Sequence, residues 1–414
     1  MIAVKDDCGG NEFTGPRIRW SDDMTKRILC LLGLLLAGIG SIRAQDIAAP
    51  PSDLLTFTPT DNNAWVTGEF LFGWAARTNL VPLVTTSSAG TLQPVAGVLD
   101  EPATTTLLGG TQSSGLLPGF RLGGGFIYDQ YHEAGVEAGF MFLSSNSSSF
   151  FFDSAVHDFI LARPYIDATT DDQASVLVGF PGLSTGTIGV ESKVGDFYSF
   201  NLAMTEKVWE QESGLRLDTM FGYRFASFSD SLRIRHHIDS LTMPGTSIDS
   251  QDSFSARNSF NGLDLGLRTS YLWSDRLSLN VLTKVAVGNM HRTVDIRGNT
   301  TTTVTGSPPP VAANGGVYAL SSNIGEQRRN EFAVLPEAGA NLVWMFRSNM
   351  NLRLGYSLIY LTKAARANDQ IDFTVNPNLF PPAVPAATPL RPGFQENHSD
   401  FWIQSLNVGV DVTF

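Results

Sequence analysis

The sequence predicts an all-β fold: a closed antiparallel transmembrane β-barrel of about ten strands, with long loops at one end and short turns at the other. Three observations carry that expectation. Segments of about ten residues alternate apolar and polar side chains with period two. The connections between them alternate long and short. The last segment runs to the final residue, the aromatic Phe414.

Composition excludes the main rivals. The chain of 414 residues carries a formal net charge of −12 and a mean hydropathy of zero. A polytopic helical membrane protein would need several apolar runs of about 20 residues. A nucleic-acid binder would show a basic stripe, and none is present. Glycine is abundant, at 39 residues. The strongly apolar run, Ile28–Gly40, follows Lys26 and Arg27 and precedes a small-residue cut after Ala44. It is too short to span as a helix and reads as a signal peptide for Sec-type export. Cys30 opens this run instead of closing it, so it is no lipoprotein cysteine.

Residues 1–23 then read as an extension from a start assigned too early, 24–44 as the cleaved signal, 45–63 as a periplasmic arm and 64–414 as the barrel. Both cysteines, Cys8 and Cys30, precede the cut. A disulfide framework, a thiol nucleophile and a cysteine metal site are therefore excluded from the mature chain.

The strands follow in order. Val66, Phe70, Phe72 and Trp74 alternate with Thr67, Glu69 and Leu71 in the first. Phe120, Leu122, Phe126 and Tyr128 oppose Arg121, Gly123 and Gly125 in the second, and Val136, Ala138, Phe140 and Phe142 oppose Glu137 in the third. The fourth, about 187–205, sets Tyr198, Phe200, Leu202 and Met204 outward. The fifth opposes Leu217, Phe221, Tyr223 and Phe225 to Arg216, Asp218 and Arg224. The sixth opposes Leu263, Leu265, Leu267, Tyr271 and Trp273 to Asp264 and Arg268. The seventh opposes Leu279, Val281, Val285 and Val287 to Lys284, and the eighth Val334, Leu342, Trp344 and Phe346 to Glu337. The ninth opposes Leu352, Leu354, Tyr356 and Tyr360 to Arg353. The tenth, Phe401–Phe414, puts Trp402, Leu406, Val408, Val410, Val412 and Phe414 on one face and Asn407 and Asp411 on the other.

Four connections are short (129–133, 206–213, 274–276, 347–350) and five are long (75–117, 144–186, 229–259, 290–331, 362–400), in strict alternation. That pattern belongs to outer-membrane barrels, whose short turns lie in the periplasm and whose long loops face outward. An even strand count puts both termini in the periplasm. Tyr128, Trp273, Trp344, Phe346 and Phe414 gather at one end of the apolar face, and Trp74, Phe142, Phe225, Tyr360 and Trp402 near the other. They read as interfacial girdles against outer-membrane lipid. Trp402, Val410, Val412 and Phe414 form an expected assembly signal for the barrel-insertion machinery, with periplasmic chaperones as earlier partners.

The inward charges are Glu69, Arg121, Glu137, Arg216, Asp218, Arg224, Asp264, Arg268, Lys284, Glu337, Arg353 and Asp411, six of each sign. Such balance suits salt bridges across a filled interior. Barrels of about 8 strands are filled by side chains and those of about 16–18 leave a channel, so ten lies near the filled end. Val176–Phe180 or Val311–Ala319 would raise the count to twelve and favour a pore.

Other chemistry is discounted. His236 and His237 are adjacent and would face opposite ways in a strand. Asp167–Asp172 lacks the glycine and distal glutamate of a calcium loop. No Ser-His-Asp pattern or phosphate loop stands out, so no catalytic, metal or cofactor residue is assigned and no enzyme activity is expected.

Pro82–Thr86, Thr104–Gly110, Ala162–Tyr165, Arg257–Leu267 (R-N-S-F-N-G-L-D-L-G-L), Leu335–Glu337, Asn368–Asp372 and Asp400–Trp402 together resemble a family of beta-barrel porins of Gram-negative outer membranes, the seventh such porin family. The resemblance spans about Trp65 to Phe414 and implies an outer-membrane barrel with no catalytic residues. The expected function is porin-like or structural, with passive solute passage through a narrow lumen. The alternative is a surface-binding protein that holds an unidentified ligand through its five long loops, and a barrel-rim enzyme is a third reading.

Overall fold

In lipid a strand must find backbone partners on both edges, because no water is present to satisfy a free N–H or C=O. The computed structural model describes residues 64–414 apart from residues 130, 132, 158 and 159. The expected start extension, signal peptide and arm, with Cys8 and Cys30, lie outside the described residues.

In chain order the strands are β1 (Ala64–Ala75), β2 (Thr78–Ser87), β3 (Thr104–Gln112), β4 (Leu117–Ile127), β5 (Ala134–Leu143), β6 (Asn146–Asp153), β7 (Ile160–Asp167), β8 (Gln173–Gly179) and β9 (Ser184–Gln211). They continue with β10 (Leu215–Ser240), β11 (Thr246–Ser274), β12 (Leu277–Val304), β13 (Ser307–Asn314), β14 (Gly325–Arg347), β15 (Met350–Ala364), β16 (Thr374–Val375) and β17 (Ser399–Thr413). A ring-like sheet of about ten strands runs β10–β11–β12–β14–β15–β17–β1–β4–β5–β9, and β9 pairs β10 again. The last strand lies antiparallel to the first, with Trp65 opposite Thr413 and Ala75 opposite Ile403.

The ring is apolar outside and polar inside at the end that carries the short turns, the turn end. On β1, Val66 and Phe70 are about half exposed while Glu69 is buried. On β17, Leu406 and Val408 face out and Asn407 and Asp411 face in.

At the opposite, loop end, the expected connections 229–259 and 290–331 are mostly strand. β10 and β11 are 26 and 29 residues long, and β12 is 28. They run on past the apolar band as one sheet, joined by the upper part of β9. The faces keep their alternation, but the polarity changes sides. In β10 the outward residues Phe221, Tyr223 and Phe225 give way to Ser229, Ser231, Arg233 and Arg235. The inward ones change from Asp218 and Arg224 to Ala226, Phe228, Leu232 and Ile234. In β9 the same exchange comes from a bulge at residues 195–196, where pairing with β10 slips between Phe228 and Asp230. The expected loop assignment failed because the apolar stripe breaks there, although the strands do not.

The stretches weighed as extra barrel strands stay out of the ring. β8 pairs β7, and β13 pairs the far end of β12. β8 belongs to a second sheet of five strands, β16–β7–β2–β3 with β8 beside β7, which fills the other long connections. Its Leu80, Leu83, Val84, Leu161 and Val178 share one core with Ile188, Val190, Leu232, Ile234, Phe254 and Ile296 of the continued strands. Each face covers the other's apolar side, as in a sandwich.

Candidate functional site

Each of the twelve inward charges meets an opposite charge. Arg121 lies 3.1 Å from Glu69, Arg353 2.8 Å from Asp411, Arg216 2.8 Å from Asp218 and Arg224 2.7 Å from Glu337. Arg268 binds Glu137. Lys284 stands between Asp264 at 3.7 Å and Glu137 at 3.8 Å. The Arg224–Glu337 contact is ionic, since Glu337 Oε2 has no aligned hydrogen-bond donor. Several pairs reach across the ring: Glu137 on β5 holds Arg268 on β11, and Arg121 on β4 donates to the Ser357 hydroxyl on β15 at 3.0 Å. Asn407 ties Glu69 to Asn341 at 3.0 and 2.8 Å. A cavity of about 250 Å³ remains among these groups.

Toward the loop end this polar layer gives way to an apolar one. Leu71, Leu117, Leu143, Phe197, Phe228, Phe260, Leu335, Ile359, Phe401 and Ile403 point inward and are almost wholly buried together. Phe228 and Phe401 stack with ring centroids 4.0 Å apart. Leu143 lies across Gly73 and Gly119, where an added Cβ would come within 2.9 and 2.8 Å of its methyls. Only glycine admits that approach. The charged cavity reaches this layer at Met141.

The connection after β15 is clasped over the layer. Asn258 exchanges two hydrogen bonds of 2.8 Å with the backbone of Ala365. Asp230 binds the Arg366 guanidinium and accepts from the Ala367 N–H at 2.7 Å. Arg366 also covers the Phe401 ring, 5.1 Å from its centroid.

Further out, Arg163 and Asp252 form an ion pair of 2.6 Å with both side chains fully buried. Asp252 also accepts from the N–H groups of Val317, Tyr318 and Ala319 at 3.0, 3.0 and 2.8 Å. Arg163 stacks on Tyr318 and lies 3.1 Å from His236 Nδ1. Burial and then the Arg163 charge push the His236 pKa well below its ordinary value. Burial pushes Tyr165 up to about 12, with Asp167 adding to it. His237 faces the other way, and its hydrogen bond to Asp249 raises its pKa. The Asp167–Asp172 segment is the β7–β8 turn, with Asp167 accepting from the Thr169 N–H and hydroxyl. Alternation flagged the lumen charges, but Asp230, Asp252, Arg163 and Arg366 carried no local signal, because their partners lie far along the chain.

The girdle residues Tyr128, Trp273, Trp344 and Phe346 are exposed at the turn end, as is Phe414. Trp74, Tyr360 and Trp402 are half-buried at the loop end. Val410 and Val412, the other two residues of the expected assembly signal, are half-buried on the outward face of β17.

A family model described as "Putative beta barrel porin-7 (BBP7)" matches residues 65–414. No curated protein matches the chain. Among solved structures, the outer membrane protease OmpT from Escherichia coli is similar with 10% identity and a TM-score of 0.40, over 88% of this chain and 100% of that one. The translocator domain of autotransporter NalP from Neisseria meningitidis has 10% identity and a TM-score of 0.22, over 95% and 98%. A Pseudomonas aeruginosa FadL homologue has 9% identity and a TM-score of 0.22, over 86% and 91%.

Proposed function

The chain belongs to this beta barrel porin-7 family of outer-membrane barrels, and on that footing we propose that it is a closed ten-stranded barrel that anchors and displays a folded β-domain on the cell exterior, with its lumen shut. The short turns and both termini of the chain face the periplasm. The chain reaches the membrane after export with a cleaved signal, and the insertion machinery seals β17 to β1. The external domain is the working part, and no catalytic residue is assigned to it.

The observation that carries the reading is the apolar layer around Phe228 and Phe401, above a fully paired charge network. A conducting lumen needs a continuous wet path. Here the polar cavity ends against buried leucine and phenylalanine. An apolar constriction of this kind excludes water and so blocks ions. Moreover, three of the long connections that would stay mobile around a pore mouth contribute strands to a second sheet that shares a core with the continued strands.

Single-channel recording in a planar bilayer tests this. The expected trace is silent across about ±100 mV, a range in which each charge moved gains about 2.3 kcal/mol. Stable open steps from the unmodified protein would restore the pore reading.

A further inference from the structure

The outer face of the continued sheet carries one row of side chains that no part of the barrel or its clasp uses. Pairing places Phe151 of β6 opposite Gly189 of β9, and Gly189 opposite Arg235 of β10. Arg235 lies opposite Gln251 of β11, which lies opposite Asn299 of β12. The row crosses five strands, roughly 19 Å at about 4.8 Å per strand. Two concavities of about 230 and 420 Å³ flank it and share Phe151, Gly189 and Arg235.

Three features of the row point to a ligand. Phe151 is 70% exposed, although its neighbours Phe150 and Phe152 turn inward to the core. Water is a poor setting for a bare aromatic ring on an edge strand, and a flat apolar partner would cover it. Gly189 beside it leaves open space, with no atom within 4 Å of where a Cβ would stand. The remaining members are planar polar groups. Arg235 Nε donates to Gln251 Oε1 at 2.8 Å, which fixes both planes and leaves the outer guanidinium nitrogens free to donate.

Charge then narrows the class. Arg233 is paired with Glu191 at 3.2 Å, Arg297 with Asp295 at 2.7 Å, and His237 with Asp249 at 2.8 Å. Among the described residues Arg235 has no carboxylate within ion-pair distance.

We propose that this row is a binding site for an acidic polysaccharide whose sugar rings carry carboxylates. A pyranose presents C–H groups on one face and hydroxyls around its edge. The C–H face would stack on Phe151 over the space at Gly189. The edge hydroxyls would bond to Gln251 and Asn299, and a ring carboxylate would take the Arg235 fork. The proposal rests on the surface reading above, since an external face is where such a polymer is met.

The test uses the full chain folded in detergent micelles, so that neither insertion nor conductance enters. Titration calorimetry compares polygalacturonate oligomers with neutral dextran oligomers and with polyphosphate, which has charge but no sugar face. Polygalacturonate binding, with dextran and polyphosphate much weaker, is expected. Phe151→Ala and Gly189→Leu should each weaken it by about tenfold or more, the weight of a lost stacked or charge-assisted contact. Arg235→Gln should remove the preference for polygalacturonate over dextran. Each variant should fold in the micelles with the circular-dichroism spectrum of the unmodified chain. Absence of polygalacturonate binding in the unmodified chain overturns the proposal. So does binding matched by polyphosphate, or binding that Phe151→Ala and Gly189→Leu leave unchanged. A silent bilayer trace alongside a negative titration would leave the closed barrel standing and remove only the ligand.

Discussion

The two halves of β10 show how one strand serves two solvents. Toward the turn end it turns Phe221, Tyr223 and Phe225 outward and Asp218 and Arg224 inward. Toward the loop end it turns Arg233 and Arg235 outward and Leu232 and Ile234 inward. Backbone pairing with β11 continues through both without a break, from Leu215 to Asp239. The difference lies in what surrounds the sheet. Lipid rewards an apolar exterior, and water rewards an apolar interior. The exchange between Phe225 and Ser229 therefore marks where the strand leaves the hydrocarbon.

Buried charge differs between the halves as well. In the ring every carboxylate has a basic neighbour, and the cavity gives the network room to adjust. In the loop-end half Asp252 has a single basic partner and three backbone donors, with no exposed surface. Asp252→Ala is therefore expected to have the largest effect, about 3–5 kcal/mol, because it strands Arg163 in the core. Hydrogen exchange should show the loop-end half loosened while the strands of the turn end stay protected. Loss of both together would mean that the halves fold as one unit.

A paired substitution sharpens the contrast. Leu265→Arg puts a charge on the lipid side of β11 and should cost about 2–4 kcal/mol if it lies near the bilayer midplane. Ser255→Arg, outward on the same strand beyond the band and opposite Ser231 and Asp295, should stay within about 0.5 kcal/mol. Urea titration in lipid vesicles measures both.

pH offers a smaller lever on the loop-end half alone. The folded pKa of His236 is depressed by burial and by Arg163. The unfolded chain therefore takes up the proton first, near pH 6.5. Stability from His236 is complete above that value and falls as pH drops below it, by at most about 1.4 kcal/mol per pH unit. His236→Gln should flatten the profile. His237 has the opposite sign: its raised pKa favours folding below about pH 6.5 and the benefit fades as pH rises through the folded value. Its exposure keeps that contribution small. The smallest direct effect is expected at Phe414, where Asp at the interface should cost about 0–1 kcal/mol. A large drop in outer-membrane level from Phe414→Asp would then point to recognition during assembly, and an unchanged level would remove that role.

The ring was legible because lipid enforces a simple rule on ten strands, and Glu69, Arg224 or Asp411 stand out against apolar neighbours. The continued sheet at the loop end was not. Its strands obey the same period two, but with the stripe on the other face, so Ser229–Ser259 reads as polar and irregular. The clasp of Asp230 on Arg366 joins residues 136 apart, and the bond of Arg163 to Asp252 spans 89. Nothing local announces either. Alternation places Phe228 on the side of Asp218 and Arg224, and Phe401 on the side of Asn407 and Asp411, but that the two rings meet across the lumen is not written in either strand.

The most direct test of the two-solvent strand is a spin-label accessibility scan of β10. Residues 45–414 contain no cysteine, so single cysteines at the outward positions from 219 to 237 report cleanly. In lipid vesicles, labels at 221, 223 and 225 should favour oxygen over a water-soluble nickel complex, and those at 229, 231, 233 and 235 should show the reverse. Nickel access along the whole strand, or oxygen preference persisting to 235, would contradict the exchange of solvents at Phe225–Ser229.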